Sequence, residues 1–298
     1  ILDLNGTRES INGLTATTAG SLVTIDNTSA SAASLTFGGN NANVAFGNAS
    51  GTFAISNSGG GALSITKTGS GTGTITDGSL TYTGTTNVTG GSLSISTPVN
   101  GTTGLAVSGT GSMLALTGGI TTPSAITSLA VGTGSTLSLL DGVGTRLENL
   151  TSLSIGTASG TNTSFNFNVG DSVVIGDNLN TDLLKLASGT LSLFTGNTVT
   201  FNLTDAGLNP NTDYILLDAA AIGGGFFGGA SPHASISSYL LGTTPGGFTA
   251  MDLTTNSTTN QIILRTGNLI TGNSYFTGIT NNAWNANVNN WSTDKPGT

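Results

Sequence analysis

Leu63-Ser-Ile-Thr-Lys-Thr-Gly-Ser-Gly-Thr-Gly-Thr-Ile-Thr76 is followed from position 80 by Leu80-Thr-Tyr-Thr-Gly-Thr-Thr-Asn-Val-Thr-Gly-Gly-Ser-Leu-Ser-Ile95. An apolar-polar-apolar triplet, a few small turn residues and another triplet succeed one another. Alternation with period two is the signature of a strand with one buried face. Gly, Thr and Asn end each strand after a few residues. Short strands at near-regular spacing over hundreds of residues read as a coil of stacked strands, not a closed globule.

The same pattern extends both ways. Leu2-Asp-Leu4, Leu22-Val-Thr-Ile25, Leu35-Thr-Phe37, Val44-Ala-Phe46 and Phe53-Ala-Ile55 precede it. Leu105-Ala-Val107, Leu114-Ala-Leu116, Leu129-Ala-Val131, Leu137-Ser-Leu139, Leu153-Ser-Ile155, Phe165-Asn-Phe167, Val173-Val-Ile175, Leu191-Ser-Leu193 and Phe201-Asn-Leu203 follow. Such spacing fits a sandwich, a barrel or a solenoid, and its monotony favours the solenoid. At roughly 20–25 residues per turn, residues 1–265 would make on the order of a dozen rungs, about 50–60 Å of rod.

The composition supports an ordered all-β chain. Charged residues are only 7%, far below the roughly 25% of ordinary domains. That would suggest disorder, but 36% of the residues are hydrophobic and they are placed periodically. The formal net charge is −8 with six Lys and Arg in all, so no basic patch forms and nucleic acid and anionic membranes are poor partners. The chain has no cysteine, which excludes disulfides, thiolate metal sites and cysteine nucleophiles. No run of about 18 apolar residues provides a transmembrane helix. Ile1 stands in mid-pattern, which reads as a mature product or a segment of something longer.

Three stretches depart from the rhythm. Asp182-Leu-Leu-Lys-Leu-Ala187 is the best helical pattern, too short to stand alone. Residues 205–248 hold the turn Asn209-Pro-Asn211, the apolar Tyr214-Ile-Leu-Leu217 and a glycine stretch around Phe226 and Phe227, and read as a long excursion from the coil. Met251-Asp-Leu253 and Ile262-Ile-Leu264 return to strand pattern. Residues 268–298 differ again: both tryptophans, Trp284 and Trp291, lie there amid asparagines. The expected organisation is a β-solenoid over 1–267 and a Trp/Asn-rich junction segment over 268–298, which also reads as the start of a next module.

Leu63-Ser-Ile-Thr-Lys-Thr-Gly-Ser-Gly-Thr72 and Tyr82-Thr-Gly-Thr-Thr-Asn-Val-Thr-Gly-Gly-Ser-Leu93, with Leu2-Asp-Leu-Asn-Gly6 and Ile11-Asn-Gly-Leu14 before them, resemble the autotransporter-associated β-strand repeat. That family shows Lys-x-Gly-x-Gly-Thr, then Tyr-Thr-Gly-x-Thr, then Gly-x-Leu. The match is close over 1–97 and looser over 98–204. Tyr214–Leu217 and Gln261–Leu264 look like closing rungs, and 275–291 resembles the Trp-rich opening of such modules. The resemblance implies a right-handed parallel β-helix on a bacterial cell surface, and no catalytic residues. A true autotransporter also carries a membrane β-barrel, and these 298 residues show no such pattern.

Candidate sites are few. His233, in Ser-Pro-His-Ala, is the only histidine; a triad or a multi-His metal site cannot be built from it without other groups, and it reads as a plain loop residue. Asp171 and Asp177 bracket a strand pattern, and glycosidase chemistry needs two carboxyls about 5–10 Å apart. Asp177-Asn-Leu-Asn-Thr-Asp182 is a polar loop, but Leu179 occupies a ligand position of the calcium loop pattern. A lyase would need clustered cations, and Lys67, Arg146, Lys185 and Arg265 are far apart in sequence. Asparagines suit stacked turns and ladders. Tyr275, Phe276, Trp284 and Trp291 either stack on sugars or seal an interface, and packing is the stronger reading.

The expectation is a non-catalytic structural unit with no cofactor and no metal. Its partner is another copy of itself, as a head-to-tail homopolymer or as tandem modules, with the four aromatic residues at the junction. A glycan-binding adhesin and, more weakly, a β-helix polysaccharide lyase or hydrolase are the alternatives.

Overall fold

The computed structural model describes residues 1–13, 22–46, 52–76, 78–99, 101–118, 125–156, 162–171, 179–193, 197–219, 239–256, 260–268, 275–276 and 291–292. They form an all-β structure with no helix among the described residues. One sheet holds β1 (Leu2–Asp3), β3 (Leu22–Asp26), β6 (Thr52–Ser56) and β9 (Gly78–Leu80), in that order. A second begins with β2 (Arg8–Ile11), β4 (Ala33–Phe37), β7 (Leu63–Lys67), β10 (Thr85–Val88), β12 (Gly104–Val107) and β14 (Ser128–Val131). It continues with β16 (Arg146–Ile155), β18 (Leu183–Leu193) and β20 (Asp213–Asp218), then β23 (Gln261–Thr266) and β22 (Met251–Asn256). The third holds β5 (Val44–Phe46), β8 (Thr72–Ile75), β11 (Ser92–Ile95), β13 (Met113–Leu116), β15 (Thr136–Ser138), β17 (Asn162–Val169), β19 (Thr198–Asp205) and β21 (Tyr239–Leu241).

Within these three sheets the described pairing is parallel, except where β20, β23 and β22 meet antiparallel. The chain visits the sheets in rotation: from β3 to β11 each pass lays one strand in each of three sheets, and from β12 to β21 each pass lays one in each of two. Within these three sheets, strands adjacent in a sheet are therefore not adjacent in sequence, apart from β22 and β23.

Register stacks like on like. Ile25, Ile55, Leu80 and Val99 form one column, paired in turn. Val88, Val107, Val131, Ile155 and Leu193 form another. Leu93, Leu114, Leu137, Phe165 and Phe201 form a third. These side chains are buried and make one continuous core. Because the side-chain period is two, a slip of one residue would turn a whole column to solvent, so the apolar pattern pins the register.

Pass length varies more than the sequence suggested. Leu35 pairs with Ile65, 30 residues on, but Thr86 pairs with Leu105, 19 residues on. Leu105 to Leu129 and Leu129 to Leu153 are 24 each, and Leu153 to Leu191 is 38. The longest sheet has nine successive parallel strands rather than a dozen rungs. At about 4.8 Å per strand that is a stack of about 40 Å.

Three local expectations change. Asp182–Ala187 is not helical: Leu184 pairs with Leu147 on one side and Leu217 on the other, at the start of β18. Leu183, Leu184 and Leu186 are all buried there, and that burial overrides a weak helical preference. The excursion over 205–248 is shorter than expected, because β20 and β21 pair with β18 and β19; its glycine-rich centre, like Val173–Ile175, lies outside the described residues. The far end of the second sheet is not a bare parallel strand. The β22–β23 hairpin turns back antiparallel on β20, and Arg265 straps it to Asp213 at 2.8 Å.

Candidate functional site

Polar side chains enter this apolar stack at a few places. The first is the motif lysine. Lys67 stands at an inward position of β7, in register with Phe37 and Val88, and is fully buried. Its Nζ donates to the carbonyls of Thr68 (2.5 Å), Gly69 (2.9 Å) and Gly90 (3.2 Å). The ammonium has three donors and meets three acceptors, one of them on the next pass. Burial pulls it below its usual value. The glycines follow from the same arrangement. Gly69 has φ +68, and a Cβ there would collide with the Gly38 carbonyl of the preceding pass. A Cβ on Gly38 would press on the Lys67 chain at 3.1 Å.

The second is Asn27, just after β3 and fully buried. Its Oδ1 accepts from the Gly6 amide (2.9 Å), and its Nδ2 donates to the Ser31 (2.9 Å) and Gly61 (2.8 Å) carbonyls. One amide thus ties three successive passes. Beside it, Asp26 accepts from the Ser58 amide (2.9 Å) and from the Ser56 (2.8 Å) and Ser58 (2.5 Å) hydroxyls. Burial works to raise the Asp26 carboxyl, but the bonds from Ser58, Ser56 and the Asn27 amide outweigh it and hold it below its ordinary value.

The third and largest cluster gathers acidic residues that the sequence singled out. Asp182, fully buried before β18, accepts from the Thr145 and Asn168 amides, each at 2.6 Å. Its own amide returns a bond to the Asn168 carbonyl at 2.9 Å. Asn168 Nδ2 donates to Asp141 Oδ1 (3.1 Å) and to the Leu139 (3.3 Å) and Val143 (3.1 Å) carbonyls. Burial pushes the Asp182 carboxyl up to about 9; the two amides oppose that and the nearby Asp141 charge adds to it.

Asp171 sits in the adjoining connection. Its Oδ2 accepts from Asn209 Nδ2 (2.9 Å) and stands 3.5 Å from the Tyr214 hydroxyl, which itself accepts from the Asn209 amide at 2.7 Å. Asp177, the other half of that carboxylate pair, lies outside the described residues, as does His233. The four cations are not gathered: Lys67 is in the core, Arg146 pairs with Glu148, Arg265 with Asp213, and Lys185 lies in register with Asp218. Among the described residues no group of three or more acidic or histidine side chains is placed to hold a metal ion.

Chemically these are brackets. Their oxygens and amides bond main-chain and side-chain groups on their own and neighbouring passes, which holds the connections between strands in place. Asp182 was legible as part of a polar loop. Asn27 and Asn168 were not, because one Asn in an Asn-rich chain gives no sign of which turn encloses it.

Of the junction residues, Tyr275 and Phe276 form β24, and Trp291 opens β25 (Trp291–Ser292). The two strands pair antiparallel, Tyr275 with Ser292 and Phe276 with Trp291. Trp284 lies outside the described residues. Comparisons of the chain with protein-family models, with curated proteins and with solved structures find no match. The family resemblance is carried by the residues of this chain alone.

Proposed function

We propose that the chain is a structural, non-catalytic unit: a right-handed β-solenoid segment of a bacterial cell-surface stalk, fibre or filament, joined head-to-tail through residues 268–298. The observation that carries this reading is the stacking of the same inward positions from pass to pass, with buried polar groups spent on bracing neighbouring passes. Crossovers between parallel strands of one sheet are right-handed in nearly all proteins, which supplies the hand. The repeat-like motif over 63–93 supports the surface location.

The β22–β23 hairpin closes one end of the second sheet, so a further unit meets a reversed strand there and not a parallel template. That favours a join through the separate segment after Gly267, where Tyr275, Phe276 and Trp291 form their own small ladder. A head-to-tail contact that does not close on itself propagates into a filament.

The test is to compare the intact chain with one ending at Gly267, by electron microscopy and sedimentation at high concentration. Filaments from the intact chain and none from the shorter one are expected. Identical filaments from both, or a stable monomer from the intact chain, would remove the assembly reading.

A further inference from the structure

One column of inward side chains in the second sheet runs from Leu35 through Ile65, Thr86, Leu105 and Leu129 to Leu153, each paired with the next. All six are buried. Thr86, the polar member, is satisfied by the Tyr82 hydroxyl at 2.6 Å. The first strand of the sheet breaks the column. β2 sets Glu9 against Leu35 and Ile11 against Phe37. Residues paired directly in parallel strands stand on the same face, so Glu9 carries its carboxylate on the core side of the sheet, at the head of a file of apolar side chains.

Glu9 is exposed, as are Arg8 and Ser10. Among the described residues β2 pairs only with β4, so its other edge is a template for a further strand. A strand laid there in register would set its own inward side chain over Glu9 and enclose the carboxylate against Leu35. The buried charges of this fold show what enclosure requires. Lys67 meets three carbonyls, and Asp182 meets two main-chain amides. Glu9 accepts from the Thr7 hydroxyl at 3.0 Å. An added strand would aim its amides at the β2 main chain, in the plane of the sheet, and not at side chains that stand out of that plane. A carboxylate enclosed on those terms is strongly disfavoured. Inward-pointing charge is one device by which natural sheets blunt their edges, and a very short edge strand is another. β1, which heads the first sheet, is two residues long.

We infer that Glu9 bars the β2 edge: it keeps a second copy of the chain from adding a strand to the long sheet, so that copies meet through another surface. The inference rests on the register and burial of the column and does not depend on the stalk reading. Under that reading it removes β2 as the acceptor of the segment after Gly267.

The test is hydrogen exchange of the β2 amides, read by mass spectrometry on fragments covering Arg8–Ile11, as the full chain is concentrated, with sedimentation beside it. In the parent that exchange should not change with concentration, whatever assembly forms. Glu9→Leu completes the column and should slow it as copies associate, by about tenfold where about nine-tenths of the chains are joined, since a protected amide exchanges only from the open fraction. Glu9→Thr copies Thr86 of the same column and should act in the same direction, which keeps the test intact if the leucine variant does not fold. Arg8→Leu adds the same apolar side chain on the outward face and should behave as the parent. Parent amides that become protected on assembly would overturn the inference. So would Glu9 variants that exchange as the parent does at every concentration, or an Arg8→Leu chain that associates as Glu9→Leu does. The filament reading keeps its own test in the chain ending at Gly267.

Discussion

Replacing Lys67 by Met should destabilise the fold by about 3 kcal/mol, a net figure between two larger effects. Met matches the length of the lysine stem, so it leaves little cavity, but it leaves the carbonyls of Thr68, Gly69 and Gly90 without their donor. Hydrogen bonds to a charged group are worth about 1.5–3 kcal/mol each. Three of them exceed the several kcal/mol that burial of the ammonium costs and that Met would recover. In a chain of this size the loss is a fall in melting temperature of roughly 5–10 °C, read by circular dichroism beside urea titration. Arg should not rescue, since Gly38 already stands so close that a Cβ there would lie 3.1 Å from the lysine Cδ and Cε. A Met variant as stable as the parent, or more so, would refute the reasoning. It would mean that the ammonium is a tolerated burden and not a brace.

Asn27→Ala should cost about 2–4 kcal/mol, the sum of several net hydrogen bonds left unmade, and Asn27→Asp should cost more, because a carboxylate faces the Ser31 and Gly61 carbonyls with no donor; urea midpoints of the two variants check the order. Gly69→Ala should prevent soluble expression, since it combines φ +68 with a collision against the preceding pass; a soluble variant with an unchanged melting temperature would contradict the stacking there. Asp182 gives a pH dependence of definite sign. Its folded value, about 9, lies above that of the unfolded chain, so the folded state holds the extra proton. Its contribution is complete below the unfolded value near 4 and is lost as pH rises through about 9. Melting temperature should therefore fall between pH 5 and pH 9, with a slope of at most about 1.4 kcal/mol per pH unit, and Asp182→Asn should flatten the slope. Asp3, Asp26 and Asp213 have lowered values and act only at more acid pH.

The strands were legible because one physical rule writes most of them: inward positions are apolar on pass after pass, so the period of two recurs along most of the chain. Leu63-Ser-Ile65 and Leu93-Ser-Ile95 show it as plainly as any helix shows its stripe. Pass length was not legible, because the interval from Leu153 to its partner Leu191 holds the longer strands β17 and β18 as well as turns, which the triplet rhythm does not count. Leu191-Ser-Leu193 was legible as a strand, but its reach back to Leu183 was not, because Leu183, Leu184 and Leu186 are buried against partner strands that only the fold supplies. The motif lysine was visible as a repeat residue, but its three carbonyl acceptors belong to turns on two passes. Asp171 was visible as one of two carboxyls bracketing a strand pattern, and the structure sets it in a polar cluster with Asn209 and Tyr214. Spacing alone does not tell a carboxyl that faces solvent from one that braces a turn.

Fibre diffraction from aligned assemblies of the intact chain tests the central claim most directly. Strands stacked along the long axis of the unit, and units joined end to end, predict a reflection at about 4.7–4.8 Å along the fibre axis. The same spacing perpendicular to the axis, or no ordered assembly at any concentration, would contradict it.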